Sequence, residues 1–595
     1  MILVLAVSAI AVALVGVTLW VGSRVLIVKD ELVAAQGIVG TVGAQVTGMD
    51  FDGARTSFER ADAHAANAAA AANDPVWRLG EAVPVIGHNL SVARDLADAA
   101  ELLVDSLRPL VQATEQFEPG TLIQEDGSIS LAPFAALSTA TQEATTGVGS
   151  VAERLSRVDT TGTVEQLVTG RTQMTDSVSK LLPALDALNQ VAPVLPTLLG
   201  GNGPQTYVVM FQNNAEARSL GGSALFFAEV SVDAGRIALN RVLPAGSMNF
   251  RNDGSAVVTP PEGFEALAPG VFGRFIANAT SRPSFTSAAE IVMGNWAREY
   301  GTQPNAVISI DAVALSYLLR ATGPVALPDG STLTSENSTT LLLNSILQAN
   351  NTGDVERDNL AQDAIYAVAL QQVFGSLSTG AADPAQLILA ATQALSERRV
   401  FFWSAVPEVD AALTAVGLDN GIPDSDETTD RIGFYINENV GSKLSFYLTT
   451  ALQAATAGCT EEGQLTHRLD LTLTNVLTPQ DAPLLSPSIL GWYETEKLDP
   501  GVQRIIVYAY APTNGRITGA SVDGSPRPVD SFTDDGHPVQ KFVVTIEPGA
   551  SSVLSIDVAT TGAPGRTLDT VVTPGVMATT RTEGALDCAT LAAGG

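Results

Sequence analysis

The chain has 595 residues, with 32 Lys+Arg against 63 Asp+Glu, a formal charge of −31. The length predicts three or four domains, and 46% hydrophobic residues with only 16% charged exclude a disordered polyanion. The acidic balance excludes a phosphate-backbone binder and broad adhesion to anionic lipid, and two Cys with four scattered His leave no ligand set for a zinc site.

The first element is an uncharged apolar run from Ile2 to Gly22, about 21 residues and long enough for a helix to cross a ~30 Å hydrocarbon core. A cleaved signal peptide is the other reading, but its apolar region is normally about 7–15 residues, behind a basic segment and ahead of a small-x-small cleavage site. No basic residue precedes this run, and Gly22-Ser23-Arg24 matches a cleavage site poorly. The pattern predicts an uncleaved anchor over 1–23, with Trp20 at the interface and the rest of the chain extracytoplasmic. Arg24 and Lys29, which follow the run, point the other way under the positive-inside rule.

Residues 30–200 read as a helical stalk or bundle. Val92, Leu96, Ala99, Leu103, Leu107 and Leu110 recur at steps of three or four, and Val178, Leu181, Leu182, Leu185 and Leu188 form a second stripe. Breaks fall at Asp74-Pro75, at Val83-Pro84 with Gly87, and at Glu118-Pro119-Gly120. These interruptions argue against a long sensor-type coiled coil and for antiparallel helices.

From Gly203 the periodicity changes. TYVVMFQ and SALFFAEVSV read as strands, the second turning at Asp233-Ala234-Gly235 into a hairpin, and NAVISID as another strand interleaved with amphipathic helices. Residues 203–458 are therefore expected to form an α/β core. Over 459–595, HRLDLTLTNVL, QRIIVYAYAP, ITGASVDG, QKFVVTIEPG and SSVLSIDVATTG predict an antiparallel β-sandwich. Cys459 and Cys588 bracket that module, and a disulfide between them is expected in an oxidising compartment; two free thiols are the other reading. The fold class expected is multidomain α+β.

The most unusual string is Phe211-Gln212-Asn213-Asn214-Ala215-Glu216-Ala217-Arg218-Ser219-Leu220-Gly221-Gly222. It follows a strand, where open α/β sheets place ligands. Arg218 can clamp a phosphate or carboxylate, the backbone at Gly221 and Gly222 can approach an anion, and Asn213, Asn214 and Glu216 can meet sugar hydroxyls or help hold a divalent ion. In the opposing structural reading the Asn pair caps a turn and Glu216 neutralises Arg218. No G-x-S-x-G, Walker A, H-E-x-x-H or dinucleotide fingerprint occurs in the required context. His64, His88, His467 and His537 sit in separate segments, Asp424-Ser425-Asp426-Glu427 reads as a solvated loop, and Arg398 and Arg399 as helix-end charges.

The string QNNAEARSLGG resembles the signature block of the domain of unknown function 4012 family, single-pass bacterial envelope proteins. DPVWRLGEAVPVIG before it and NAVISIDAVALSYLLRATGPVALPDGSTLTSEN after it match further, and Ser223 replaces the family's Phe after the Gly pair. That resemblance implies an envelope location and no particular reaction. More distantly, Glu216-Ala217-Arg218 with the following hairpin and strand–helix passage is similar to the LytR–CpsA–Psr family, whose members move glycopolymers from polyprenyl pyrophosphate onto the cell wall. That likeness implies an Arg-lined pocket to which Arg251 and Arg357 would contribute, and a divalent cation if the chemistry is kept. Where that family has Pro-Arg-Asp, this chain has Pro244-Ala245-Gly246. The expectation is therefore a non-catalytic, membrane-tethered protein that binds or organises surface polysaccharide or its carrier lipid, without cofactor, metal or nucleic acid. The alternative is a divergent glycopolymer phosphotransferase.

Overall fold

The computed structural model describes residues 20–38, 41–42, 45, 50–84, 86–117, 122–249, 255–378, 382–419, 422, 424–458, 464–530, 532–561 and 566–585. The expected anchor therefore lies almost wholly outside the described residues, as do Arg251, Cys459 and Cys588 with the proposed disulfide. Among the described residues no helix is long and apolar enough to cross a membrane. The chain divides into two compact units, Met1–Asn202 and Gly203–Gly595.

The first unit is helical, as the apolar spacing predicts. Helices Phe51–Ala72, Gly87–Thr114, Ala132–Arg157 and Glu165–Val191 follow the helical stretch 20–38. Asp74 caps the short helix Pro75–Gly80 by accepting from the Val76 N–H, with Pro75 in the first turn where its missing donor is harmless. Val92, Leu96 and Ala99 of the predicted stripe are buried against Ala144, Val148, Val151 and Leu155, and Val178 and Leu185 of the second stripe join the same cluster. Small residues on helix Phe51–Ala72, with Ala68 and Ala72 fully buried, let its neighbours approach closely.

The second unit combines a mixed sheet with a sandwich. Strands β1 (Gln205–Asn213), β2 (Ser223–Asp233), β3 (Arg236–Pro244), β4 (Ala306–Asp311) and β7 (Val400–Ser404) lie in the order β3-β2-β1-β4-β7; β5 (Val325–Ala326) and β6 (Thr332–Leu333) form a separate small hairpin. β1 and β4 are parallel, and the other pairs of that sheet are antiparallel. The β2–β3 turn falls where the sequence places it, with Ala234 and Gly235 both at positive φ, 48° and 81°, the conformation a tight hairpin demands. Helices cover both faces. Val208 and Met210 face Ile291, Val292 and Trp296 of helix Phe285–Tyr300, while Phe211 and Phe226 pack with Leu315, Ile346 and Tyr366.

The sandwich is built from β8 (Thr429–Glu438), β9 (Leu448–Gly458), β10 (Gln464–Asn475), β11 (Gln503–Tyr510), β12 (Gly515–Val522), β13 (Ser525–Pro526), β14 (Phe532–Asp534), β15 (His537–Ile546), β16 (Ser551–Thr561), β17 (Thr567–Val572) and β18 (Thr580–Ala585). Its sheets run β13-β12-β16-β10-β9-β18 and β14-β15-β11-β8-β17. It begins with β8 at Thr429 rather than at 459, since β8 and β9 are integral strands of the two sheets. The five-stranded sheet is buried on both faces. Ile432, Phe434, Ile505, Val507, Phe542 and Val544 point into the sandwich, whereas Tyr435, Tyr508, Tyr510 and Val539 enter the same core as Val208, Met210 and Trp296 of the α/β part. The two expected modules are thus fused through one core, which is why they form one unit.

Candidate functional site

The Gln212–Gly222 block runs from the carboxyl end of β1 to the start of β2, beside the carboxyl end of the parallel neighbour β4, where Gln212 pairs with Asp311. Here the β1 connection turns to one side of the sheet and β4 continues on the other, the place where such sheets form a crevice. The block is an ordered loop held almost entirely by internal bonds. Gln212 donates to the Ser309 hydroxyl at 2.7 Å and accepts from the Gly222 N–H at 2.8 Å. Asn213 accepts from the Ala215 N–H two residues on, the turn expected of Asn. Gly221, at φ 130°, takes a conformation that side chains disfavour, and a Cβ on Gly222 would lie 2.2 Å from the Asn213 carbonyl. The Gly pair thus lets the loop close on itself.

Arg218 is 7% exposed. Its guanidinium meets Glu216 Oε1 at 2.7 Å, Asn278 Oδ1 at 3.3 Å, and the carbonyls of Ala217 and Glu438 at 2.9 and 3.2 Å. The cation expected to face a ligand is therefore closed in an ion pair and ties the loop to β8. Ser219 adds to that tie: its N–H donates to Asn437 Oδ1, its hydroxyl to the Ser281 carbonyl, and its own carbonyl accepts from Thr573 Oγ1. The Ala217 carbonyl accepts from the Glu438 N–H, and the Ala215 carbonyl from the Ser445 N–H. The block is the joint between sheet and sandwich.

Asn214, fully buried, donates from Nδ2 to Asp311 Oδ2 at 2.9 Å and to the Pro574 carbonyl at 3.3 Å, leaving its own Oδ1 without a partner among the described residues. It borders a cavity of about 20 Å³ shared with Ala217, Ser445, Thr573 and Gly575, room for a single water. Asp311 caps helix Ala312–Thr322 through the Ala314 N–H and accepts from Arg399 Nη1 at 2.7 Å, both residues being nearly inaccessible. Arg399 also holds Glu397 at 2.6 Å and the Gly575 carbonyl at 3.1 Å. Although burial opposes its charge, the Asp311 and Glu397 carboxylates keep its pKa above the ordinary value. Segment 573–576 thereby crosses the strand ends, with Val576 packed against Ala215, Ala312 and Leu343.

Three groups that the sequence reading leaves out thus belong here: Asp311, Arg399 and Glu438. Arg399, read as a helix-end charge, is turned inward by Arg398 at φ 55°, while the backbone N–H groups of Arg398 and Arg399 close on Leu395 and Ala394. Glu438, at the end of β8, is 5% exposed and accepts from the Val440 N–H and from the Ser442 N–H and hydroxyl. Burial pushes its carboxyl up to about 7 against the pull of Arg218, with Glu216 adding to the rise. None carries a local sequence signal, because Asp311 meets Arg399 88 residues away and Glu438 meets Arg218 220 residues away.

Behind the crevice lies a narrow, apolar cleft with a cavity volume of about 30 Å³. Phe211, Leu225, Phe226, Leu342, Tyr366 and Leu370 line it, with Gln212 and Asp311 as its polar edge. Arg357 does not join Arg218. It stands exposed in the first turn of helix Val355–Ser378, where its backbone N–H meets Asp354. Among the described residues no group of three or more His, Cys, Asp or Glu is placed to hold a metal ion. His467 is fully buried between Asp430, Thr456 and Thr560 inside the sandwich, a structural network rather than a catalytic pair.

No curated protein and no solved structure matches the chain. Residues 202–346, which contain the signature block, β1 to β6 and Asp311, match a family model described as Protein of unknown function (DUF4012), and it is in this segment that the chain is similar to that family.

Proposed function

We propose that this is a membrane-tethered, extracytoplasmic envelope protein that binds or organises cell-surface polysaccharide or its carrier lipid and catalyses no transfer. The observation that carries this reading is the closure of Arg218 on Glu216, Asn278 and two backbone carbonyls. A transferase acting on a pyrophosphate needs several guanidiniums directed at the substrate to offset its desolvation. Here Arg218 and Arg399 are spent on internal carboxylates, and Arg357 stands apart. The uncharged apolar run at the N-terminus supports the tether.

The apolar cleft favours carrier lipid as one form of the ligand, since its polar edge at Gln212 and Asp311 adjoins an aliphatic and aromatic interior. As it stands the cleft admits only water, so an isoprenoid chain would have to part helix Val355–Ser378 from the sheet. The same cleft is the one feature that favours the phosphotransferase alternative, which would further require Arg218 or Arg399 to be released.

The test is mass spectrometry of lipids co-purifying with the full-length protein and with Ala369→Phe, which fills the cleft from the helix. A polyprenyl phosphate present in the wild type and depleted at least fivefold in the variant supports the carrier-lipid form. Its absence from both samples removes that form and leaves polysaccharide binding, read by co-sedimentation with isolated wall polymer. Transfer of labelled glycan phosphate to an acceptor would overturn the non-catalytic reading.

A further inference from the structure

One end of the helical unit gathers exposed apolar side chains that no packing among the described residues of the unit covers. Leu79 is 68% exposed and Ile86 49%, with Val83 exposed between them on the turn after helix Pro75–Gly80. Val164, also exposed, is brought to the same end by its N–H bond to Asn89 Oδ1 at 2.9 Å. Trp20 completes the group. Its indole N–H reaches Asp74 Oδ1 at 3.3 Å, and the Arg24 guanidinium lies 4.5 Å from the ring centroid. The turn is no loose loop, because Trp77 beneath it is fully buried and donates to the Leu90 carbonyl at 3.0 Å, and Val21 packs into the same cluster. A rigid foundation therefore presents apolar groups outward.

We infer that this end of the bundle is a membrane-contact foot: Leu79, Val83, Ile86 and Val164 seat in the headgroup–acyl boundary of a bilayer beside Trp20. The inference rests on the tethered reading and deepens it. What identifies the occupant is continuity with the chain, since residue 20 is preceded by the uncharged apolar run that begins at Ile2, and the described end of that run packs at this turn, Trp20 on Asp74 and Val21 with Trp77 and Leu90. Tryptophan with short aliphatic side chains is the composition that partitions to this depth. Charge is compatible, because Asp74 is paired with Arg24 and Glu81 with Arg94, which blunts repulsion from headgroups. The chain leaves the unit from the opposite end, where Gly201 lies close to Leu131, so the foot is free of the connection onward.

The experiment installs a photo-reactive diazirine side chain at position 86, or at exposed position 125 as reference, in the full-length protein reconstituted into phosphatidylcholine vesicles. Flotation reads whether the protein is tethered, and mass spectrometry reads the adducts. The expected result is co-flotation with lipid adducts at position 86 at least tenfold above those at position 125. Co-flotation with only water adducts at 86 overturns the foot while leaving the tether intact. Protein adducts at 86 overturn it as well, assigning the patch to this chain's own N-terminal run or to a second copy. Failure to float overturns the tether and the foot together.

Discussion

Asp311 and Arg399 meet at 2.7 Å across the adjoining ends of β4 and β7, each at most 3% exposed, and between them they hold the signature loop, a helix terminus and the C-terminal crossing segment. Asp311 serves the helix N-cap with one oxygen and Arg399 and Asn214 with the other. Such a pair is no measure of net stability by itself, but removing one member leaves a buried charge uncompensated. Arg399→Met should lower unfolding stability by roughly 3–5 kcal/mol in urea titration. Adding Asp311→Asn should restore part of that loss, because the amide removes the stranded charge and still caps the helix. A double variant as damaged as the sum of both singles would show that the two residues act independently.

Arg218→Ala should act on folding before it acts on any ligand. The substitution strips the Glu216 carboxylate and the Ala217 and Glu438 carbonyls of their shared donor in a nearly closed site. A loss of about 3 kcal/mol is expected, read as a lower midpoint in thermal or urea unfolding. Arg218→Lys should recover only part, since a point charge cannot reach four acceptors at once. Unchanged stability of Arg218→Ala would instead return this residue to the role of ligand clamp.

Glu438 gives the joint a pH dependence of definite sign. Its carboxyl, ordinarily near 4.5, is raised to about 7 by burial, with Arg218 and Glu216 the charged groups facing it. The folded state therefore binds the proton more tightly than the unfolded chain does, and the contribution of this group falls as pH rises from about 4.5 to about 7, then stays level. The magnitude is on the order of 3 kcal/mol across that window. Urea unfolding between pH 4.5 and 8 should show the decline, and Glu438→Gln should flatten it. A slope that survives the substitution would place its origin in another group.

Much of this architecture is readable from spacing alone. The stripe through Val92, Leu96 and Ala99, the Asp233-Ala234-Gly235 turn and the alternation in β10, β15 and β16 all carry their period in the sequence, because each element buries one face. β8 does not. It is buried on both faces between the sandwich and the helix layer, so Thr429–Glu438 lacks alternation and its place in the sandwich goes unread. The site divides in the same way. The signature block is visible as an odd string after a strand, but whether Arg218 faces a ligand or Glu216 depends on Asn278 and Glu438, which come from 60 and 220 residues away. The structure favours the local alternative in which Glu216 neutralises the arginine.

The Gly pair distinguishes a packed loop from an anion cradle. An anion cradle would tolerate a methyl group at some loss of affinity, whereas a packing glycine would not tolerate it at all. A Cβ at Gly222 meets the Asn213 carbonyl carbon and oxygen at 2.2 Å and the Asn214 nitrogen at 2.6 Å, all backbone atoms of the same loop that cannot rotate aside. Gly222→Ala should therefore cost more than about 3 kcal/mol and leave little folded protein, the expected outcome where overpacking has no side chain to displace. Gly246→Ala, with no atom within 4 Å of its Cβ position, provides the reference and should be close to neutral. Soluble yield and the unfolding midpoint of the two variants decide the matter. A folded Gly222→Ala protein of near-normal stability would show that the loop can open at Asn213, and would restore the strand-end crevice as a place where a ligand approaches the backbone.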